Sequence, residues 1–358
     1  MDMTPYLAGI GIGALSWLAF LLSDRPLGCS TAYAQTFGMI EHRIRGAAAR
    51  KRPYWQKVTP AIDWQWMLVA GVVIGSFLAA TLSGEFGLLW VPTTFSATFG
   101  ESVLLRLIVA LIGGVLMGIG ARWAGGCTSG HGISGALQLA VASWIAVICF
   151  FIAGIATAMV MYGVFAPLRG GPGMFDQLHA NTGAQLVLGL LMGIAFGFFL
   201  QTGGVTDYNI IIAQLLLTDF TVVKVMLSAV LVGMIGVYFM KGRGLVRLHA
   251  KTGSVGSTVV GGLIFGAGFA VLGYCPGTVA GAVGQGALDA LFGGAVGILI
   301  GTGIYAVIYP ALHRRVLGVG TFPSETIPAM LRVNPWVVIV PLTVLILALF
   351  WVLESLGL

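Results

Sequence analysis

Charge is what this sequence has least of. Asp, Glu, Lys and Arg together make up 8% of its 358 residues, and 58% are hydrophobic, whereas a soluble globular domain carries about 25% charged residues. With a mean hydropathy of +0.98, the composition excludes a soluble domain and gives an integral membrane protein. Apolar segments recur along the whole length, which excludes a soluble domain on a single anchor. Carboxylates are few and scattered, 12 in all, so hydrolytic or metal-assisted chemistry has little to stand on. The four cysteines form no CxxC and no metal-type spacing with histidine, which argues against a zinc site and a disulfide framework. No nucleotide-binding motif is present, and the residues imply no cofactor and no enzyme.

The formal charge of +6 does not point to nucleic acid, because the basic residues cluster at helix ends. Arg43, Arg45, Arg50, Lys51, Arg52 and Lys57 form one cluster; Lys241, Arg243, Arg247 and Lys251 form another. Both read as cytoplasmic loops by the positive-inside rule. The run Leu7–Leu22 has no basic segment before it and no small-residue cleavage site after it, so it reads as a first retained helix.

A helix needs about 20 apolar residues to cross the hydrocarbon core. Nine spans are expected, at 4–22, 64–82, 103–122, 140–163, 184–200, 222–240, 255–272, 290–310 and 335–355, the last after a loop containing Pro323, Pro328 and Pro335. Four stretches are too polar or glycine-rich to cross yet too apolar for ordinary loops: 24–40, 125–138, 201–219 and 273–288. The fold class expected is therefore an all-α integral membrane protein of about nine transmembrane helices plus four short re-entrant or broken helices. It forms one transporter domain over 1–358, with repeats at about 4–163 and 184–310 and a C-terminal helix at 335–355.

The repeat is visible directly. GGVLMGIGARWAGGC (113–127) and GGLIFGAGFAVLGYC (261–275) match without a gap at six glycines and a terminal cysteine. Gly114/Gly118 and Gly262/Gly266 read as close helix packing of the GxxxG kind, which leaves the cysteine unexplained. CSTAYAQ (29–35) resembles DYNIIIAQ (207–214), though the second copy lacks the thiol. The basic clusters precede one span, 64–82, and follow its apparent equivalent, 222–240, which favours inverted repeats. Four simple crossings per half would give parallel repeats instead, so inversion requires a break that crosses or a span count shifted by one.

Non-helical backbone at membrane depth belongs where it lines a polar cavity or is buried in protein, and helix N-termini there attract anions. In GGCTSGHGISG, Gly126 and its neighbours bring bare amides forward, and Thr128 and Ser129 cap a short helix or donate to a ligand. In GYCPGT, Pro276 suits a first helical turn, with Gly277 and Thr278 beside it. Three thiols stand in the breaks: Cys29, Cys127 and Cys275. A thiol is a weak donor and soft acceptor, better matched to a sulfur-bearing solute than to phosphate or an amino acid. Cys149, inside VICFFIAG, reads as a small core hydrophobe.

These two motifs, each after a Gly-rich helix, resemble the signatures of the YeeE/YedE membrane family, which includes bacterial thiosulfate-uptake transporters. The resemblance covers nearly the whole chain and is strongest at 105–140 and 255–285. It implies a multi-pass protein of the bacterial inner membrane that takes up thiosulfate along a central path, handed between Cys275, Cys127 and Cys29. It also implies a small cytosolic sulfur-carrier protein as partner. Other family members handle selenium and other sulfur species, so a related solute is one alternative; a membrane thiol sulfurtransferase or redox protein is the other.

Several polar residues have double readings. Arg122 and His131 flank Cys127 and either attract an anion or, for Arg122, snorkel at a helix end. Arg106 is costly in lipid and is expected to face the interior. Asp24-Arg25 reads as a local pair, and Asp207 as structural. Gln138 and Gln285, similarly placed after two of the cysteines, bind either a solute or each other's helices.

Overall fold

The computed structural model describes residues 3–46, 49, 52–84, 86–162, 182–250, 253–322 and 326–356. Arg50, Lys51, Lys251 and Pro323 lie outside the described residues. The described residues are mainly helical, with no strand among them. In order the helices are α1 (Thr4–Ser23), α2 (Ser30–Arg45), α3 (Pro53–Lys57), α4 (Trp64–Ser83), α5 (Thr93–Phe99), α6 (Val103–Ala124), α7 (Val141–Tyr162), α8 (Thr182–Thr202), α9 (Tyr208–Leu215), α10 (Thr221–Gly242), α11 (Val255–Leu272), α12 (Pro276–Gln285), α13 (Val296–Arg315), α14 (Ile327–Leu331) and α15 (Pro335–Ser355). A π-helical stretch, Thr128–Gly135, lies between α6 and α7, and a second, Ala290–Ala295, leads into α13.

Eight apolar helical stretches among the described residues are long enough to cross a membrane, as 1.5 Å of rise per residue requires. They match eight of the nine expected spans. The remaining one, 184–200, falls on α8, whose apolar part Leu186–Thr202 is shorter. Entry into these helices is fixed by polar caps: Asp63 accepts from Trp66 N at 3.0 Å, and Asn334 accepts from Trp336 N at 3.1 Å. Such caps satisfy amides that a membrane segment cannot leave bare.

The glycine repeat is the crossing point of the two halves. On α6, Gly113 abuts Leu272 and Gly120 abuts Phe265; on α11, Gly261 abuts Ala124 and Gly268 abuts Met117. Each contact is the other's image under exchange of the halves, and α6 and α11 run antiparallel through it. The second glycine rows serve a second pair of contacts. Gly114 and Gly118 meet Gly297 and Ile298 of α13, while Gly262 and Gly266 meet Cys149 and Phe150 of α7. Any side chain at these positions would overlap the neighbouring helix, so backbone proximity is what the glycines permit.

The inversion follows from the same contacts. Gly9 and Gly13 of α1 rest on Val225 and Ala229 of α10, and Gly236 of α10 rests on Trp17, so these two helices run the same way. Gly189, Gly193 and Gly197 of α8 rest on Trp64, Leu68 and Val72 of α4, again the same way. Trp64 Nε1 donates to Ser23 Oγ at 3.1 Å, placing the start of α4 beside the end of α1. Helices α1 and α4 are thus antiparallel, and α1 opposes its equivalent α8. None of the four breaks crosses. Helix α7 ends at Tyr162 beside Phe99 and Tyr208, on one face, whereas α8 begins beside Trp64, on the other; residues 163–181 between them lie outside the described residues.

The basic segments share one face. Asp24, just past α1, meets His249 Nε2 at 2.8 Å, and Ser23 meets Trp64. This corrects the local Asp24-Arg25 pair: Asp24 reaches across to the loop after α10, because the left-handed turn at its own φ of 50° reverses the chain there.

Candidate functional site

The four breaks contain α2, the 128–135 π-helical stretch, α9 and α12. Each begins with a side chain at its N-cap position: Cys29, Cys127, Asp207 and Cys275. Helix α2 is not the short helix expected there: at 16 residues it runs to Arg45, past the end of the 24–40 break. The break after each long repeat helix is made by a glycine that can hold a left-handed conformation, Gly125 with φ 88° and Gly273 with φ 81°. This accounts for two glycines of the repeat that helix packing does not. The chain turns there, and the cysteine two residues later takes the N-cap position of the next short helix, where Cys275 caps with its side chain and Cys127 does not.

The three thiols come together from three distant segments. Cys29 and Cys127 are fully buried and Cys275 is 8% exposed. Ser129 joins the first two, accepting from Cys29 N at 3.2 Å while its Oγ lies 3.2 Å from Cys127 Sγ. Gly277 joins the third: a methyl at its Cα would lie 3.2 Å from Cys29 Sγ and 3.8 Å from Cys275 Sγ. Cys275 and Thr278 form a reciprocal cap, with Cys275 N donating to Thr278 Oγ1 at 2.7 Å and Thr278 N donating to Cys275 Sγ at 3.4 Å. Pro276 occupies the first turn, where its missing N–H costs nothing, and its carbonyl accepts from Tyr33 OH at 2.8 Å. That bond ties α2 of one half to α12 of the other.

A narrow cavity of about 50 Å³ opens beside Cys275, with Cys29 and Cys127 outside its lining. Thr128, Ser129, Cys275, Gly277 and Thr278 line its polar part, and Phe196, Phe269 and other apolar side chains line the rest. Thr128 Oγ1 is buried there and faces the Cys275 thiol, so a donor stands beside that sulfur. Gly126 is buried in the turn before Cys127. Among the described residues no three His, Cys, Asp or Glu side chains gather as metal ligands would.

The other polar residues separate by their partners. His131 is 1% exposed; its Nδ1 lies 2.9 Å from Ser143 Oγ and its Nε2 lies 3.1 Å from Ala124 O. Both nitrogens thus fasten the break to its flanking helices. Gln138 donates to Ser134 O at 2.6 Å and accepts from His249 N at 2.5 Å, a tie within the protein. Gln285 instead lines an outer cavity with Asp207, Asn209 and Tyr274. Asp207 accepts from Asn209 N at 2.7 Å as the cap of α9. Cys149 packs at Gly262, away from the breaks.

Arg106 is fully buried, as a charged residue in a membrane helix demands, and its partner is Asp289 at 2.5 Å. Sequence reading missed Asp289; the signal available was a single acid inside the apolar stretch from 255 to 312. Arg122 does not snorkel. It is 9% exposed, and its guanidinium donates to Ser30 Oγ and, at 3.3 Å, to Thr31 Oγ1.

The chain matches the family described as "Sulphur transport" over residues 2–157 and 203–356. It is 36% identical over 101 residues to "Thiosulfate transporter TsuA" of Spirochaeta thermophila, covering 28% of each chain. To "Thiosulfate transporter TsuA" of Escherichia coli it is 29% identical over 157 residues, 43% of this chain and 38% of that protein. The matched part therefore spans well under half the length of either TsuA. A "Probable transporter" of Xylella fastidiosa is 31% identical over 161 residues, 45% of this chain but 95% of that protein, so that protein is about half as long.

Proposed function

This chain belongs to the sulphur-transport family, and from that premise we propose that it carries thiosulfate, or a closely related sulfur oxyanion, inward across the bacterial inner membrane. The observation that carries this reading is the meeting of Cys29, Cys127 and Cys275 at the N-cap positions of three helices drawn from both halves of the chain. Multiple apolar helices support a multi-pass membrane protein, and the names of the two TsuA relatives support thiosulfate as the solute. By the positive-inside rule, the face bearing both basic clusters is cytoplasmic.

The solute's oxygens are drawn by the N-terminal amides of the short helices and by the hydroxyl of Thr128 beside Cys275. Its terminal sulfur passes between thiols through S–H···S contacts, with no covalent bond made. Cys275 is nearer the outer break and Cys127 and Cys29 nearer the basic face, so the order inward is Cys275, then the other two. Ser129, Gly277, Thr278 and Pro276 hold the thiols at these separations, and His131 holds the backbone that carries Cys127. Energy comes from a gradient or from consumption inside; a small cytosolic sulfur carrier fits the second route.

The test is uptake of labelled thiosulfate into vesicles containing the purified protein, against sulfate, sulfite and selenite. Thiosulfate is expected to accumulate fastest. Sulfate carried as fast as thiosulfate would sink the role assigned to the thiols.

A further inference from the structure

Among the described residues, one buried cation has no carboxylate partner. Arg106 is matched by Asp289, but Arg122, 9% exposed, meets no carboxylate among the described residues. Its hydrogen-bond acceptors include two neutral hydroxyls, Ser30 Oγ and Thr31 Oγ1, and its Nε has no partner at all. Around it stand Tyr54, whose buried hydroxyl bonds to the guanidinium, and Tyr305. A guanidinium withdrawn from water costs several kcal/mol unless an anion compensates it. Glu41, the buried acid of α2, is already taken by Arg45 and Arg52.

The position of this cluster is informative. Ser30 and Thr31 form the first turn of α2, whose N-cap is Cys29, so the guanidinium sits where the helix amides already favour negative charge. The Ser30 hydroxyl also faces the Cys127 thiol. Thus Ser30 touches a relay thiol on one side and an unmatched cation on the other. The cluster lies toward the basic face, where Tyr305 and Tyr309 pack on Tyr54 and Lys57 stands 5.8 Å over the Tyr309 ring.

We propose that Arg122, with the hydroxyls of Ser30, Thr31 and Tyr54, is an inner anion site that takes the oxygen-bearing end of a tetrahedral sulfur oxyanion while its terminal sulfur still faces Cys29 and Cys127. The inference rests on the transport reading above and adds a station to it on the cytoplasmic side. The fork of the guanidinium suits two oxygens of such an anion. Occupation supplies the missing counter-charge, and departure toward the basic face re-exposes it, which keeps binding weak enough for release.

The site makes a prediction that the thiols alone do not. Sulfate has the oxygens of thiosulfate without the terminal sulfur, so it should bind at Arg122 and gain nothing from Cys127. The measurement is the thermal midpoint of the purified full-length protein in sulfate, thiosulfate and, at matched ionic strength, chloride. Wild type is expected to be stabilised by both sulfur anions, thiosulfate more, and not by chloride. Arg122→Gln should lose both shifts. Cys127→Ala should keep the sulfate shift and lose only the thiosulfate excess. Arg122→Lys keeps the charge without the fork and, together with Tyr54→Phe, should fold and show reduced shifts, which separates loss of the site from loss of the fold. An undiminished sulfate shift in Arg122→Gln, or a wild-type shift no larger than in chloride, overturns the site. Wild-type vesicles that fail to take up thiosulfate, by contrast, refute the transport reading and leave the sulfate result standing on its own.

Discussion

Gly277 of α12 lies against Cys29 at the head of α2, so close that a methyl on its Cα would sit 3.2 Å from the Cys29 sulfur and 3.8 Å from that of Cys275. Two thiols from opposite halves of the chain therefore share a gap that only hydrogen leaves open. Gly277→Ala should fold, since Gly277 lies in the first turn of a helix, where alanine is favourable. It should lower thiosulfate uptake on the order of tenfold, the equivalent of about 1.4 kcal/mol, by pushing the Cys29 thiol aside. Initial uptake rates in vesicles check this. A wild-type rate would show that the gap is not on the path.

The thiols themselves separate by position. Cys29→Ala, Cys127→Ala and Cys275→Ala should each abolish growth on thiosulfate as sulfur source at normal expression. Cys149→Ala, at a helix contact with Gly262, should grow as wild type. Equal growth of all four variants would remove the relay. Cys→Ser at the three break positions distinguishes a sulfur contact from a polar one: serine keeps the hydrogen bond and loses the soft acceptor, so growth should stay impaired.

How much of this was legible in the sequence depends on what kind of signal each feature leaves. The spans were readable because lipid demands long apolar runs, and the repeat because helices at van der Waals contact demand glycine in register. The breaks were readable at Cys127 and Cys275 because polar and glycine residues are expensive at that depth. Partnerships were not readable. Asp24 with His249, Arg106 with Asp289 and Arg122 with Ser30 join residues 225, 183 and 92 positions apart, and no local pattern records such pairings. The fate of His131 was equally hidden, because a buried ring that fastens two helices has the same sequence signature as one that meets a solute.

The crossing of α6 and α11 gives a prediction about stability alone. Gly120 abuts Phe265 and Gly268 abuts Met117 across the pseudo-two-fold axis, so either glycine replaced by leucine forces the helices apart. Overpacking of this kind costs about 1–3 kcal/mol, and both variants should lower the thermal midpoint of the purified protein by similar amounts. Gly242→Leu, at the end of α10 with nothing within 4 Å of where its Cβ would sit, should leave the midpoint unchanged. Unequal effects at Gly120 and Gly268 would mean that the two halves do not share the contact symmetrically.

The Arg106–Asp289 pair should behave in the opposite way to Arg122, because its charge is already matched. Arg106 Nε and Nη2 both reach Asp289 Oδ2, at 2.8 and 2.5 Å, and Nη2 also donates to Leu272 O at 2.9 Å. Leu272 is the last residue of α11, three before Cys275, so the pair anchors the end of the helix from which the outer thiol turns away. The Tyr208 ring lies 4.5 Å from the guanidinium and the Phe95 ring 5.2 Å, sealing it from water. Asp289→Leu strands a buried cation and is expected to cost about 3–5 kcal/mol. The double variant Arg106→Met, Asp289→Leu removes both charges, so its thermal midpoint should recover most of that loss. Its uptake should remain low, because the Leu272 carbonyl has lost its donor and Cys275 its fixed position. A double variant that is no more stable than the single would show that the hydrogen bond to Leu272, and not the charge balance, holds this end of the helix.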